Sequence, residues 1–201
     1  MKNNIENIEK LFDDSSRIIL KSKVLSNKIK NCIDIIFDTF ERGNKVLIFG
    51  NGGSAADAQH MAAEFVSKFY FDRKSLPAIA LTTDTSILTS IGNDYDFEKI
   101  FSRQCESLVK KGDTVIAIST SGKSKNVIQG IKKSKNLGAK IISLTGENGG
   151  ILNDESDICI EIPSNDTPRI QEGHRIIIHI ICQLVEEHFK NLWLYLLNLT
   201  S

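Results

Sequence analysis

His60 and Glu64 stand four residues apart in a stretch rich in alanine, so a helix there would place them on one face, a turn from each other. An imidazole and a carboxylate at that spacing can ligate a metal, work as an acid and base, or form a simple polar pair. Ala62 and Ala63 beside them let neighbouring backbone approach, and polar groups packed inward would need partners. Just upstream lies Gly50-Asn51-Gly52-Gly53-Ser54, a glycine-rich turn that can present N-H groups to an anion. Ser54 is expected to cap the following helix, whose first-turn amides would then face a bound phosphate. The turn has no Gly-Lys-Ser/Thr ending and lacks dinucleotide-fingerprint spacing, so neither nucleotide motif applies. A second candidate, Ser119-Thr120-Ser121-Gly122-Lys123-Ser124, gathers hydroxyl donors before another expected helix and is the stronger phosphate cradle. Lys123 reads equally as an assistant or as a solvated side chain.

The elements that must hold these residues follow from the apolar pattern. Val46-Leu47-Ile48-Phe49 reads as a buried parallel strand feeding the first turn, and Thr114-Val115-Ile116-Ala117-Ile118 as another feeding the second. Further strands are expected at 77–81, 140–145 and 157–162, with helices at 97–110 and 126–137 and a weaker one through Leu88. Strands alternating with helices in this way form a mostly parallel sheet covered on both faces. Ligands of such sheets sit beyond the carboxyl ends of the strands, where both turns fall. One or two helices before residue 40 could cover the sheet or pack on another subunit. A long final helix begins near residue 167. It carries Gln171, His174 and His179; His179 lies in a strongly apolar stretch, whereas His174 and His188 have polar neighbours. Gln171 and His179 are two turns apart and displaced about 80° around the helix, a tolerable fit to one ligand. Gly173 is a local defect costing up to about 1 kcal/mol against Ala. The apolar tail 191–199 is expected to pack on this chain or a partner.

The 201 residues, 41% of them hydrophobic, are enough for one domain with one respectable core. Twenty-five basic residues balance 25 acidic ones, which argues against a general nucleic-acid or membrane-surface binder. No run reaches transmembrane length and the first residues lack a signal peptide's apolar stretch, so a cytoplasmic location is expected. Cys32, Cys105, Cys159 and Cys182 form no CxxC pair and are expected as reduced, buried thiols.

Taken in order, the two turns, His60 to Glu64, Gly92-Asn93-Asp94, Ser143-Leu144-Thr145-Gly146 and Arg169-Ile170-Gln171-Glu172 with His174 and His179 resemble the sugar isomerase (SIS) domain family over residues 25–187, in particular its sedoheptulose 7-phosphate isomerase branch. That resemblance implies a three-layer α-β-α sandwich around a mostly parallel, flavodoxin-like five-stranded sheet, with one SIS domain over residues 1–201 and a helical extension over 1–40. It implies a homotetramer with active sites at subunit junctions, acting on a small phosphorylated sugar. Glu64 would be the base moving a proton between C1 and C2 through an enediolate, and His179 the acid or shuttle at the sugar oxygens. His60, Glu64, Gln171 and His179 resemble a zinc-binding set. Ser54, Ser119, Thr120, Ser121 and Ser124 would hold the phosphate, with Asn51, Gly52, Gly53, Asn93, Asp94 and Gln171 around the sugar. The product would be D-glycero-D-manno-heptose 7-phosphate. Gly173 departs from the bulky residue that family members often carry between Glu and His. Rival readings are a non-catalytic SIS-domain scaffold that binds the replication initiator and a phosphosugar-sensing domain. The first has no chemical need for Glu64 and His179, and the second would carry a DNA-binding helix pair, which the sequence lacks at both ends.

Overall fold

The computed structural model describes the backbone of residues 3–199 and the side chains of 4–190. Two helices, α1 (Asn3–Lys21) and α2 (Ser26–Glu41), joined by a 3-10 turn, precede the sheet. The chain then runs β1 (Val46–Gly50), α3 (Gly53–Val66), β2 (Ala78–Ala80), α4 (Thr85–Asp94) and, after a second 3-10 turn, α5 (Ile100–Leu108). It ends with β3 (Thr114–Ser119), α6 (Lys125–Asn136), β4 (Lys140–Thr145), α7 (Ile151–Glu155), β5 (Ile158–Glu161) and α8 (Thr167–Leu199). The short α7 was not foreseen; it lies between the expected strands at 140–145 and 157–162. The apolar tail after Lys190 continues α8, and its side-chain packing lies outside the described residues.

All strand pairings are parallel, in the order β2-β1-β3-β4-β5. Every residue of β1 and β3 is buried, as a parallel sheet with both faces covered requires. Alternate strand residues serve opposite cores. Ile48, Ile116, Ile142 and Leu144 pack with α2, α3 and α8 through Ile33, Met61, Phe65 and Ile178. Leu47, Phe49, Val115 and Ile141 pack with α5 and α6 through Phe101, Cys105, Val127 and Ile131. α2 thus belongs to a core layer, while α1 lies against α8 and leaves Ile5, Ile8, Leu11 and Phe12 exposed. All four cysteines are free and buried. Strand order reverses between β1 and β3, so the crevice beyond their carboxyl ends is the sheet's natural ligand position.

α8 is fastened to the sheet by His174, which is fully buried, contrary to the polar surroundings its sequence neighbours suggested. Its Nε2 lies 3.0 Å from the Thr145 carbonyl oxygen at the end of β4. A carbonyl only accepts, so Nε2 carries the hydrogen, and the buried Nδ1 has no partner. Burial pushes the imidazole down from 6.5 to about 4, against the opposing effect of the Thr145 bond. The unfolded chain therefore binds the extra proton first, and the stabilisation is full above about pH 6.5 and lost as pH falls towards 4. Between pH 7 and 4.5 this residue is expected to cost on the order of 2 kcal/mol of stability. Urea unfolding at the two pH values should show that loss, and His174→Leu should flatten it. Next to His174, Gly173 makes room for Ile162: a Cβ there would lie 2.8 Å from Ile162 Cδ1.

Candidate active site

Two loops flank the switch point. After β1, Gly50 lets the chain pass against β3, because a Cβ would lie 2.6 Å from the Ile118 oxygen. Gly52, with φ +56°, occupies the cap position of α3. Ser54 is not the cap; it is buried in the helix's first turn, its amide donating to the Asn51 oxygen at 3.0 Å. Asn51 and Asn126 exchange two side-chain hydrogen bonds of 2.9 Å, tying the first loop to the start of α6.

The loop after β3 gathers hydroxyls. Ser119 Oγ lies 3.1 Å from Ser124 Oγ and 3.5 Å from Ser121 Oγ, which also accepts from the Lys123 amide at 3.2 Å. Ser124 precedes α6 without a capping bond, leaving its hydroxyl to this cluster. Gly122, at φ +62°, presses on the loop after β4: a Cβ would fall 2.1 Å from the Gly149 oxygen. Thr120 adds to this brace by accepting from the Gly146 amide at 3.0 Å. Lys123 is exposed, in keeping with its solvated reading. Rotatable hydroxyls converging at a helix start are suited to a phosphate oxyanion. Ser119 is buried at the centre of the cluster, so Ser119→Ala should raise KM for a phosphorylated substrate about tenfold, one hydrogen bond to a charged group being worth about 1.5 kcal/mol or more. Steady-state kinetics would show this as a larger change in KM than in kcat.

The remaining residues come from facing turns of α3 and α8. Gln171 lies over Gly53, where a Cβ would meet Gln171 Nε2 at 2.5 Å. One turn on, Arg175 Nη2 reaches Asp57 Oδ1 at 2.6 Å. Next, His60 Nε2 and His179 Nε2 approach to 2.8 Å, and His60 Nε2 is 3.4 Å from Glu64 Oε1. His60 and Glu64 are half-buried and open to solvent on one side. Burial and then the Arg175 charge hold the His60 imidazole below its usual range, against the pull of Glu64. It is therefore neutral near pH 7, with a lone pair available. Burial raises the Asp57 carboxyl, and Arg175 opposes it. The Phe69 ring stands edge-on to His179, centroids 5.8 Å apart.

The structure brings together Asn51, Gly53, Ser54, His60, Glu64, Gln171 and His179 along α3, and Ser119, Thr120, Ser121 and Ser124 across the switch point. Asn93 and Asp94 are not joined to them; at the exposed end of α4, Asn93 Nδ2 donates to Asp94 Oδ1 at 2.8 Å. Sequence reasoning missed Asp57 and Arg175. Their signal was opposite charge at matching offsets, three residues before His60 and four before His179.

Whether these residues suit a zinc ion turns on the imidazole contact. Two Nε2 atoms face each other at 2.8 Å beside a carboxylate oxygen. Imidazole nitrogens sharing one tetrahedral zinc are separated by roughly 3.3 Å, since each Zn-N bond is about 2.0–2.1 Å. A small spreading of the pair would admit the ion, and neutral His60 is in the ligating state. Nitrogen and carboxylate donors are chemistry that fits zinc; the Gln171 amide lies over Gly53, two turns of α8 before His179. Among the described residues, no three His, Cys, Asp or Glu are already grouped as a metal-holding cluster.

The sequence matches the SIS domain family over residues 11–146. It is 55% identical to a phosphoheptose isomerase of Geotalea daltonii over 163 residues, 81% of this chain and 85% of that protein. A solved phosphoheptose isomerase from Neisseria gonorrhoeae matches with a TM-score of 0.86 and 38% identity, over 90% of this chain and 98% of that one. A phosphoheptose isomerase structure from Francisella tularensis matches with a TM-score of 0.88 and 34% identity, over 91% and 98% of the two chains.

Proposed function

We propose that this chain, which belongs to the SIS domain family and within it to the phosphoheptose isomerases, interconverts D-sedoheptulose 7-phosphate and D-glycero-D-manno-heptose 7-phosphate. It is an enzyme that isomerises a phosphosugar. The observation that carries the residue assignment is the convergence of Glu64, His60 and His179 between α3 and α8, on the helix that starts at the glycine turn.

In the proposed reaction, the hydroxyls of Ser119, Thr120, Ser121 and Ser124 and the turn of Gly52, Gly53 and Ser54 hold the phosphate, converting binding energy into alignment of C1 and C2. Asn51 and Gln171 contact the sugar; Asn93 and Asp94, at the exposed end of α4, have no part in this protomer's site. The Glu64 carboxylate removes a proton from C1 of the ketose while His179 supplies a proton to O2, giving an enediol(ate). Glu64 then returns its proton to C2 as His179 takes the O1 proton, leaving the aldose. His60, Glu64, Gln171 and His179 would hold a zinc ion, which when bound supplies Lewis-acid polarisation of the sugar oxygens.

Exposed Ile5, Ile8, Leu11 and Phe12 on α1 support association of subunits through this helix, and the assembly proposed is a homotetramer with sites at subunit junctions. Among the described residues no helix is long and apolar enough to cross a membrane; the balanced charge supports the reading that the chain is not a general nucleic-acid or membrane-surface binder, and the location proposed is the cytoplasm. The three-residue convergence supports catalysis over a scaffold or a sensor.

The test is an assay of purified protein on sedoheptulose 7-phosphate, with and without a strong chelator, and with bound zinc measured. The expected result is isomerisation that falls on chelation and returns with zinc. No isomerisation under any condition would reject the substrate, and full activity in zinc-free protein would reject the metal.

A further inference from the structure

The stretch between α3 and β2 is held by one buried ion pair. Arg73 Nε donates to Glu186 Oε1 at 3.0 Å, and the Glu186 side chain is 1% exposed. The same carboxylate accepts from three successive amides, Phe69 at 2.8 Å, Tyr70 at 2.6 Å and Phe71 at 3.0 Å. Burial alone would raise this carboxyl, but those amides and Arg73 hold it below its usual range. The other end of Arg73 reaches back to the last turn of α3: Nη2 donates to the Glu64 oxygen and Nη1 to the Phe65 oxygen, both at 2.9 Å. These carbonyls have no partner within the helix, because α3 stops at Val66.

This clamp borders both proposed catalytic residues. Glu64 is gripped through its own carbonyl. His179 is flanked by Phe69, whose amide is bound to Glu186. Glu186 itself follows His179 by seven residues, which returns to the same face of α8 within about 20°.

We propose that Arg73 and Glu186 are positioning residues for the isomerisation, setting the placement of Glu64 relative to His179 by locking the end of α3 to α8. The proposal rests on the function argued above. Misplacement of a base by about 1 Å can cost on the order of a hundredfold in rate, whereas the hydroxyls of Ser119 to Ser124 lie on other elements and Ser54 sits in the first turn of α3, at the end far from the clamp. Loss of the clamp should therefore appear in kcat and spare KM.

Two variants test this alongside wild type: Glu186→Gln, which keeps the shape and removes the charge, and Arg73→Ala. A cavity of about 940 Å³ opens on the pair, lined by Phe40, Phe71, Leu76 and Phe189 among others, so a small cation can enter. The expected result is a kcat at least tenfold below wild type with KM within about twofold, measured on protein whose circular dichroism and oligomeric state match wild type. Millimolar guanidinium should restore kcat in Arg73→Ala, and methylammonium should not; a role in stability alone would show lower melting temperatures without such rescue. If Glu186→Gln does not fold, the guanidinium experiment decides. Variants with wild-type kcat, or a kcat deficit that guanidinium leaves unchanged, would overturn the proposal. An inactive wild type would instead reject the functional reading.

Discussion

Replacing Glu64 by Gln is expected to lower kcat by roughly a thousandfold, the middle of the range for losing a positioned general base. The substitution keeps the side chain's length and its contact with His60, at 3.4 Å in the native protein. It removes the carboxylate that accepts a proton from carbon, and with it one proposed zinc donor, so bound zinc is measured in both proteins. Glu64's side chain retains 22% of its exposure, and its backbone oxygen still accepts from Arg73. The fold should therefore be unaffected, with a melting temperature within a degree or two of wild type. Steady-state kinetics at saturating substrate, paired with thermal unfolding, separates the two effects. Full activity in the variant would remove Glu64 from the role of base.

His179→Gln is expected to lower kcat by about a hundredfold or more, because an amide cannot shuttle a proton between O1 and O2. The side chain can still meet His60 Nε2, so the α3–α8 contact survives in part. Glu64 and His179 serve one transfer, so their losses should not add. The double variant is expected close to the Glu64→Gln rate, as happens when residues act as a unit. A double variant slower by the product of the two single effects would show that they act in separate steps, which the mechanism does not allow.

How much of this could be read from the chain alone depended on the range of the interaction. The strands were legible because β1 and β3 are buried on both faces, which leaves continuous apolar runs. The two glycine and hydroxyl turns were legible because they directly follow those strands. The partnership of α3 with α8 was not, since His60 and His179 are 119 residues apart and nothing local pairs them. The histidines of α8 show the difficulty most clearly. Immediate neighbours made His179 look like the core residue, yet His174 shares a helix face with buried Ile177, Ile178 and Ile181, while His179 continues the stripe of Gln171 and Arg175 towards α3. Helical offset, not neighbouring polarity, decides which imidazole is buried. Ser54 misled for a related reason: Gly52 can adopt the positive φ that this helix start uses, so the hydroxyl is not needed as a cap. Arg73 and Glu186 were invisible because their pairing spans 113 residues and joins a loop to a helix.

The central claim is that Glu64 carries a proton between C1 and C2 of a phosphorylated ketose. The most direct measurement follows sedoheptulose 7-phosphate by nuclear magnetic resonance in deuterated water with wild-type protein and Glu64→Gln. The account predicts that wild type passes the C1 hydrogen to C2, with solvent deuterium entering C2 to the extent that the protonated Glu64 exchanges before returning it, and that the variant isomerises and exchanges at C1 about a thousandfold more slowly. Aldose forming at the wild-type rate in Glu64→Gln, whether or not it carries deuterium at C2, would contradict it.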